Sequence, residues 1–484
     1  MAKVLDWGVR GALCMGFLSI SALADVSPEA KNPAPHTMTS PENAFAFRYT
    51  GNNTSAILWL ADTYWFCPSE LCPIDASSNP AIDSMFRYLV DLRSSQGFNA
   101  LQLAFLGPTP FEGKSVLDLY AEPTPHPDSA RYWDHVRRYV AYANEKGMTV
   151  AIGVGFHTDL DRYDIDMLQR LWGDLIQALN PYDVVWFVAG EYNLNAPPER
   201  LKKISALVDF IRARDSRKRP LSLHPADHRR KASVIEPMAM LDFIMVQSGH
   251  SGATSPASIY QSIAKPGQPA RPVIEAECLY EGIYGRVSAN DVRRCMIRAV
   301  MSGAVGYSYG SHGLWYPVQS VADTRFSAGY GKAPPWWVAA QRPGAPLVGK
   351  LRHFFEALDW SALPARPHAL LYVEHGPVES TPLVRMDEGH RALVWFPNDR
   401  PAQGKVLLQG LAKDERYCPQ WISGDLSERA VDNAMIVEDR FTPLPPPPGL
   451  GDWFLILNKD TGDQCGDIVD RHTVTTPIAP GTPD

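Results

Sequence analysis

The sequence predicts an α/β chain in which a (β/α)8 TIM barrel is followed by a smaller antiparallel β-sandwich. Three observations carry that reading. Eight short apolar runs, at 56–60, 100–105, 149–154, 184–188, 220–223, 241–246, 272–274 and 305–307, alternate with longer stretches whose apolar residues recur at helical spacing. The runs are apolar throughout, as strands of a parallel sheet buried on both faces must be. After a helix-like stretch at 348–358 the pattern changes to short strand-like runs at 369–373, 392–396, 406–408 and 453–457, with Pro, Asp and Gly between them.

Taken in order, the N-terminus carries Lys3 and Arg10, an apolar run at 11–23, and Ala22-Leu23-Ala24 before Asp25. This is the pattern of a secretory signal cleaved after Ala24, and the run is too short to span a bilayer. Lipid attachment at Cys14 is disfavoured by Leu13, where a small residue would be needed. Signal removal leaves six of the seven cysteines. An even number in an exported chain predicts up to three bridges, and the pairs close in sequence are Cys67–Cys72, Cys278–Cys295 and Cys418–Cys465. A Pro-rich leader occupies 25–42, the barrel 43–360 and the sandwich 361–484. Helices between the strands are marked by sets such as Met85, Phe86, Leu89, Val90 and Leu92, or Ile204, Leu207, Val208 and Ile211.

Composition excludes several function classes. The chain has 484 residues, 45% hydrophobic, with Lys+Arg 46 against Asp+Glu 53 and a formal net charge of −7. No segment concentrates basic residues into the stripe that a phosphate backbone requires, so nucleic acid is not a partner. The signal cleaved after Ala24 predicts a secreted or periplasmic protein, and no later run is long enough for a membrane span. No Gly-x-Gly-x-x-Gly follows a strand, and neither His-Glu-x-x-His nor paired Cys-x-x-Cys occurs, so no cofactor or metal is expected. His224 and His228 have spacing four, but Pro225 breaks a shared helical face. The oligomeric state is left open.

In a barrel the chemistry sits at the C-terminal ends of the strands. The residues beyond each run are polar and aromatic: Asp62 and Trp65, Gln102, His157, Glu191 and Asn193, His224, Gln247 and His250, Glu275 and Glu277, then Ser308, His312 and Trp315. Glu191 follows the fourth run and Glu277 the seventh, so the two stand across the mouth. Cleaving a glycosidic bond needs one carboxyl to protonate the leaving oxygen and another to stabilise or attack the oxocarbenium-like carbon on the other side. In a retaining enzyme the two stand ~5–5.5 Å apart. Asp62, Trp65, Gln102, His157, Asn193, His224, Gln247, His250 and Trp315 are then candidates for binding a sugar. Gly306-Tyr307-Ser308-Tyr309-Gly310 offers a competing serine-esterase elbow at Ser308. Gly313 and Pro317 stand where that motif needs a helix. A barrel that binds carbohydrate without turnover is a further alternative.

The segments Trp59-Leu60-Ala61-Asp62-Thr63-Tyr64-Trp65, 89–102, Val185-Trp186-Phe187-Val188-Ala189-Gly190-Glu191, 241–250, Arg271-Pro272-Val273-Ile274-Glu275-Ala276-Glu277, Asp291-Val292-Arg293-Arg294 and 303–310 carry a resemblance. Together they resemble the apiosidase-like family of glycoside hydrolases, a former domain of unknown function. The resemblance spans roughly 43–358 in consistent order. The family implies a barrel enzyme acting on plant cell-wall polysaccharide side chains by a retaining route, with Glu191 as acid/base and Glu277 as nucleophile. The segment 391–397 resembles a C-terminal β-sandwich named for collagen binding, a property that does not follow from the name. The family commonly has Gly-Gly-Asp where Ala189-Gly190-Glu191 stands, and proline where Cys278 stands.

Overall fold

The computed structural model describes residues 38–39, 46–50, 56–104, 116–120, 128–226, 240–250, 271–324, 327–372, 381–397 and 406–460. The predicted signal and Cys14 lie outside them, as do His228 and Cys465.

Eight strands form one parallel sheet: β1 (Trp59–Tyr64), β2 (Ala100–Ala104), β3 (Thr149–Gly153), β4 (Val184–Phe187), β5 (Leu221–Ser222), β6 (Ile244–Gln247), β7 (Val273–Glu277) and β8 (Gly306–Tyr309). Pairing runs β5-β4-β3-β2-β1-β8-β7-β6. The remaining seam is joined from Asp242 N to Leu221 O at 2.9 Å and from Ser222 Oγ to Phe243 O at 2.8 Å, completing the barrel. Every strand residue is buried, as the apolar runs require.

Helices α1 (Met85–Ser95), α2 (Ser129–Glu145), α3 (His157–Arg162), α4 (Ile165–Ala178), α5 (Pro198–Arg214), α6 (Ala289–Met301) and α7 (Gly344–Ala357) supply much of the outer layer. Helix α1 starts where Ser84 Oγ accepts Arg87 N, and it buries Met85, Phe86, Leu89 and Val90. Helix α6 starts with a reciprocal Ser288–Asp291 capping box.

Strand boundaries differ from the sequence reading where polar residues continue a strand. β1 runs to Tyr64, so Asp62 lies inside it, and β8 contains Ser308. Asp62 is correspondingly not at the mouth. Its carboxylate faces the helical layer, 2.6 Å from Nε of Arg93 on α1, and both side chains are fully buried. Arg93 also donates to the Ala340 carbonyl oxygen at 3.0 Å. Removing one partner of such a pair leaves the other charged and desolvated. Asp62→Ala should therefore cost about 3–5 kcal/mol, read as a lowered denaturant midpoint with an unchanged slope.

The C-terminal region is antiparallel. Strands β9 (Leu370–Tyr372), β12 (Val406–Gln409) and β16 (Phe441–Pro443) form a three-stranded sheet. The second sheet contains β10 (Leu383–Met386), β11 (Arg391–Phe396), β13 (Arg416–Ser423), β14 (Arg429–Val431), β15 (Met435–Ile436) and β17 (Trp453–Lys459). Alternation in this second sheet serves two cores. Trp395, Phe454 and Ile456 join the apolar core of the barrel, whereas Val394, Leu455 and Leu457 pack with Val406 and Leu408 of the smaller sheet. At the junction Arg293 of α6 grips Asp452 through both nitrogens, at 2.8 and 2.6 Å, and Trp395 Nε1 donates to the same carboxylate at 3.0 Å.

Cys67–Cys72 and Cys278–Cys295 are bonded. Cys418 is also disulfide-bonded, and its expected partner Cys465 lies outside the described residues. Among the described residues no helix is long and apolar enough to cross a membrane.

Candidate active site

Glu277 ends strand β7 with 7% of its surface exposed. Its Oε1 lies 2.9 Å from Nε2 of His250 and its Oε2 3.5 Å from Nε2 of His224. His250 comes from the turn after β6, where Gly249, at φ 77°, donates its N–H to the Glu277 carbonyl oxygen at 3.1 Å. The other ring nitrogen of His250, Nδ1, lies 3.0 Å from the Cys278 carbonyl oxygen. Both nitrogens thus face acceptors, and only the doubly protonated ring can donate to both. Burial opposes that charge, but the Glu277 hydrogen bond and charge outweigh it and raise the His250 pKa above its ordinary value. In Glu277 burial likewise favours the neutral acid. The hydrogen bond and charge of His250, with a hydrogen bond from Tyr280, outweigh burial and hold the carboxyl below its ordinary range. His224 is fully enclosed, and burial pushes its pKa down, so it stays neutral at pH 7.

Tyr280 was not among the sequence candidates. It is buried, and its hydroxyl accepts Trp65 Nε1 at 2.8 Å, which turns its own proton toward Glu277. Its position three residues past Glu277 gives no motif, but Gly310 is a signal in hindsight. A Cβ there would stand 2.1 Å from the Tyr280 ring, so the ring and the end of β8 fit only with glycine.

Glu191 lies beyond β4, three strands from β7 around the barrel. The Gly190 N–H donates to Gly155 O at 2.7 Å and His157 N donates to Gly190 O at 2.9 Å, extending the β3–β4 pairing up to this residue. Glu191 itself adopts φ 48°, a left-handed conformation costing roughly 1–2 kcal/mol in a residue other than glycine. Such strain clusters at functional positions. The carboxylate is half-buried and acts electrostatically on His250.

The other candidates separate into groups. Trp65 is buried edge-on against Phe156, Phe187 and His224, which makes it a floor of the mouth. Trp315 is half-buried and donates to Nδ1 of His312, whose Nε2 faces the Gly331 carbonyl oxygen at 2.9 Å. Asn193 accepts Ala226 N at 2.7 Å and so staples the loop after β4 to the loop after β5. Among the described residues, Nδ1 of His157, both ring nitrogens of His224 and Oε1 of Gln247 are buried without a hydrogen-bond partner. Gln247 is paired in register with Glu277. Three of these orphaned atoms, two on His224 and one on Gln247, lie beside the Glu277 carboxylate, and they are costly in a folded protein unless water or a polar ligand satisfies them.

Gln102 lies deeper, inside the barrel. Its Nε2 donates to Ala276 O at 3.1 Å and its Oε1 accepts Ser308 Oγ at 2.6 Å. Ser308 is 1% exposed in the middle of a strand, with its proton committed to an amide oxygen rather than to a histidine. This is not an activated nucleophile. Ser308→Ala should leave turnover within about twofold while lowering the melting temperature, because Gln102 loses a buried donor worth ~1–3 kcal/mol.

A family model for the apiosidase-like catalytic domain matches residues 47–362. The chain belongs to the apiosidase-like family. It is therefore a glycoside hydrolase, and its substrate is a carbohydrate. Among solved structures, one described as a glycoside hydrolase aligns at 18% identity with a TM-score of 0.72, covering 90% of this chain and 98% of that one. A glycoside hydrolase family 5 structure from Bacteroides vulgatus aligns at 18% identity and a TM-score of 0.72, covering 89% of this chain and 95% of that one. At that identity these likenesses speak to the fold, including the sheets that follow the barrel. No curated protein matches the sequence.

Proposed function

We propose that the protein is an exported, retaining apiosidase-like glycosidase that removes a sugar from a plant cell-wall-type oligo- or polysaccharide, with Glu277 as nucleophile and Glu191 as general acid/base. The observation that carries the reading is the setting of Glu277, buried at the mouth of the barrel yet held ionised by His250 and Tyr280. A buried carboxylate kept charged is suited to attack an electron-poor anomeric carbon. The orphaned atoms of His157, His224 and Gln247 suit sugar hydroxyls, which both donate and accept.

In the first step a Glu277 oxygen bonds to the anomeric carbon as the glycosidic C–O bond breaks, and Glu191 gives its proton to the departing oxygen. In the second, Glu191 takes a proton from water while that water's oxygen displaces Glu277, restoring both groups with retained configuration. The signal-like N-terminus supports export, as do the disulfides. A panel of aryl glycosides and cell-wall oligosaccharides, with products resolved by mass, tests the reading. Release of a monosaccharide or short fragment is expected. Hydrolysis of aryl esters with no cleavage of any glycoside would overturn it.

A further inference from the structure

Cys278 directly follows Glu277, and its carbonyl oxygen is the acceptor for Nδ1 of His250 at 3.0 Å. The same imidazole stands 2.9 Å from Oε1 of Glu277. The sulfur of Cys278 is bonded to Cys295 of α6, and both residues are buried. Helix α6 is fixed in turn, by its capping box at one end and by the grip of Arg293 on Asp452. A covalent path therefore runs from an anchored helix to the main chain next to Glu277, and the histidine hangs from that main chain.

We propose that the Cys278–Cys295 bridge is a positioning element of the active site: by fixing the Cys278 carbonyl oxygen against α6 it sets the imidazole of His250 on the Glu277 carboxylate. Its catalytic consequence rests on the reading of Glu277 as nucleophile, but its geometry does not. Residue 278 lies just past the end of β7, where the ladder no longer holds the chain. A carbonyl there can turn away unless another bond restrains it, and a hydrogen bond weakens steeply as its angle closes. The charged and titratable groups facing His250 and its partner are Glu277, Glu191, His312 after β8, His224 after β5 and Tyr280, whose ring centroid lies 4.4 Å from that of His250. The two carboxylates favour the imidazolium, whereas burial opposes it. Moving the ring off Glu277 therefore tips the balance toward the neutral form.

The test uses the full chain labelled with 15N-histidine, with the His250 ring signals assigned by their loss in His250→Gln and followed across pH. In the intact protein His250 should titrate above ~6.5 with both nitrogens protonated below that point. In Cys278→Ala/Cys295→Ala the midpoint should fall by at least about half a unit. Removing the Cys67–Cys72 bridge instead, in Cys67→Ala/Cys72→Ala, should leave it in place. If the alanine pair does not fold, Cys278→Val/Cys295→Ala restores buried volume without the bond and carries the same comparison. An unchanged midpoint without the Cys278–Cys295 bond, an equal shift on losing either bridge, or failure of both replacements to fold would make the bridge a staple only. A glycoside panel without any hydrolysis refutes the catalytic reading and leaves this titration standing.

Discussion

Glu277→Gln should lower turnover by about four powers of ten while the protein still folds. The amide has nearly the same shape, so packing at the end of β7 is preserved. What is lost is the charge that attacks the anomeric carbon and stabilises the positive character developing there. The amide also presents an N–H to surroundings arranged as donors, so His250 should titrate lower in this variant. The measurement is kcat on a glycoside that the wild type cleaves, beside a thermal melt. Near-wild-type turnover in Glu277→Gln, with loss in Ser308→Ala, would return the assignment to the esterase. In the wild type the depressed Glu277 value has a definite sign in pH. The carboxylate contributes activity and stability above its ordinary value, and both are lost only as pH falls through the lower folded value. The acid limb of the rate profile should therefore lie below the usual carboxylate range.

The barrel could be read from the sequence because eight runs buried on both faces leave a periodic apolar trace that needs no knowledge of tertiary contacts. The facing of individual residues could not. Apolar runs mark where a strand is buried and miss where it ends, once polar residues continue it. β1 passes through Asp62 to Tyr64, and the two-residue side-chain period turns Asp62 outward to Arg93. β8 likewise carries Ser308 inside the barrel, where it meets Gln102 rather than a substrate. Glu277 lies inside β7 as well, but as its last residue, and there a polar side chain emerges at the mouth. Tyr280 had no periodicity or motif to reveal it. Its place depends on a contact with Trp65 from the far end of the chain segment that forms the barrel.

Glu191→Ala should separate the two chemical steps, and it is the stronger test of the retaining route. On a substrate with a poor leaving group, which needs protonation, turnover should fall by roughly two to four powers of ten. An aryl glycoside with a good leaving group needs no proton to depart. It should still glycosylate Glu277, and the intermediate should then accumulate as a burst of aryl alcohol, because no base remains to activate water. Azide is a nucleophile that needs no such base and fits the space the side chain vacates. Added azide should restore turnover and give a glycosyl azide of the original anomeric configuration. Glu277→Gln should show neither burst nor rescue in that configuration, since it has no carboxylate to form the intermediate. The left-handed backbone of Glu191 separates this effect from simple loss of packing. Glu191→Gln keeps the side chain's bulk in that conformation and should still lose the pH-dependent limb that the acid supplies. Product of inverted configuration from the wild type would place a water between the two carboxyls instead, at a separation of ~6.5–9.5 Å, and would replace the retaining mechanism with an inverting one on the same pair of residues.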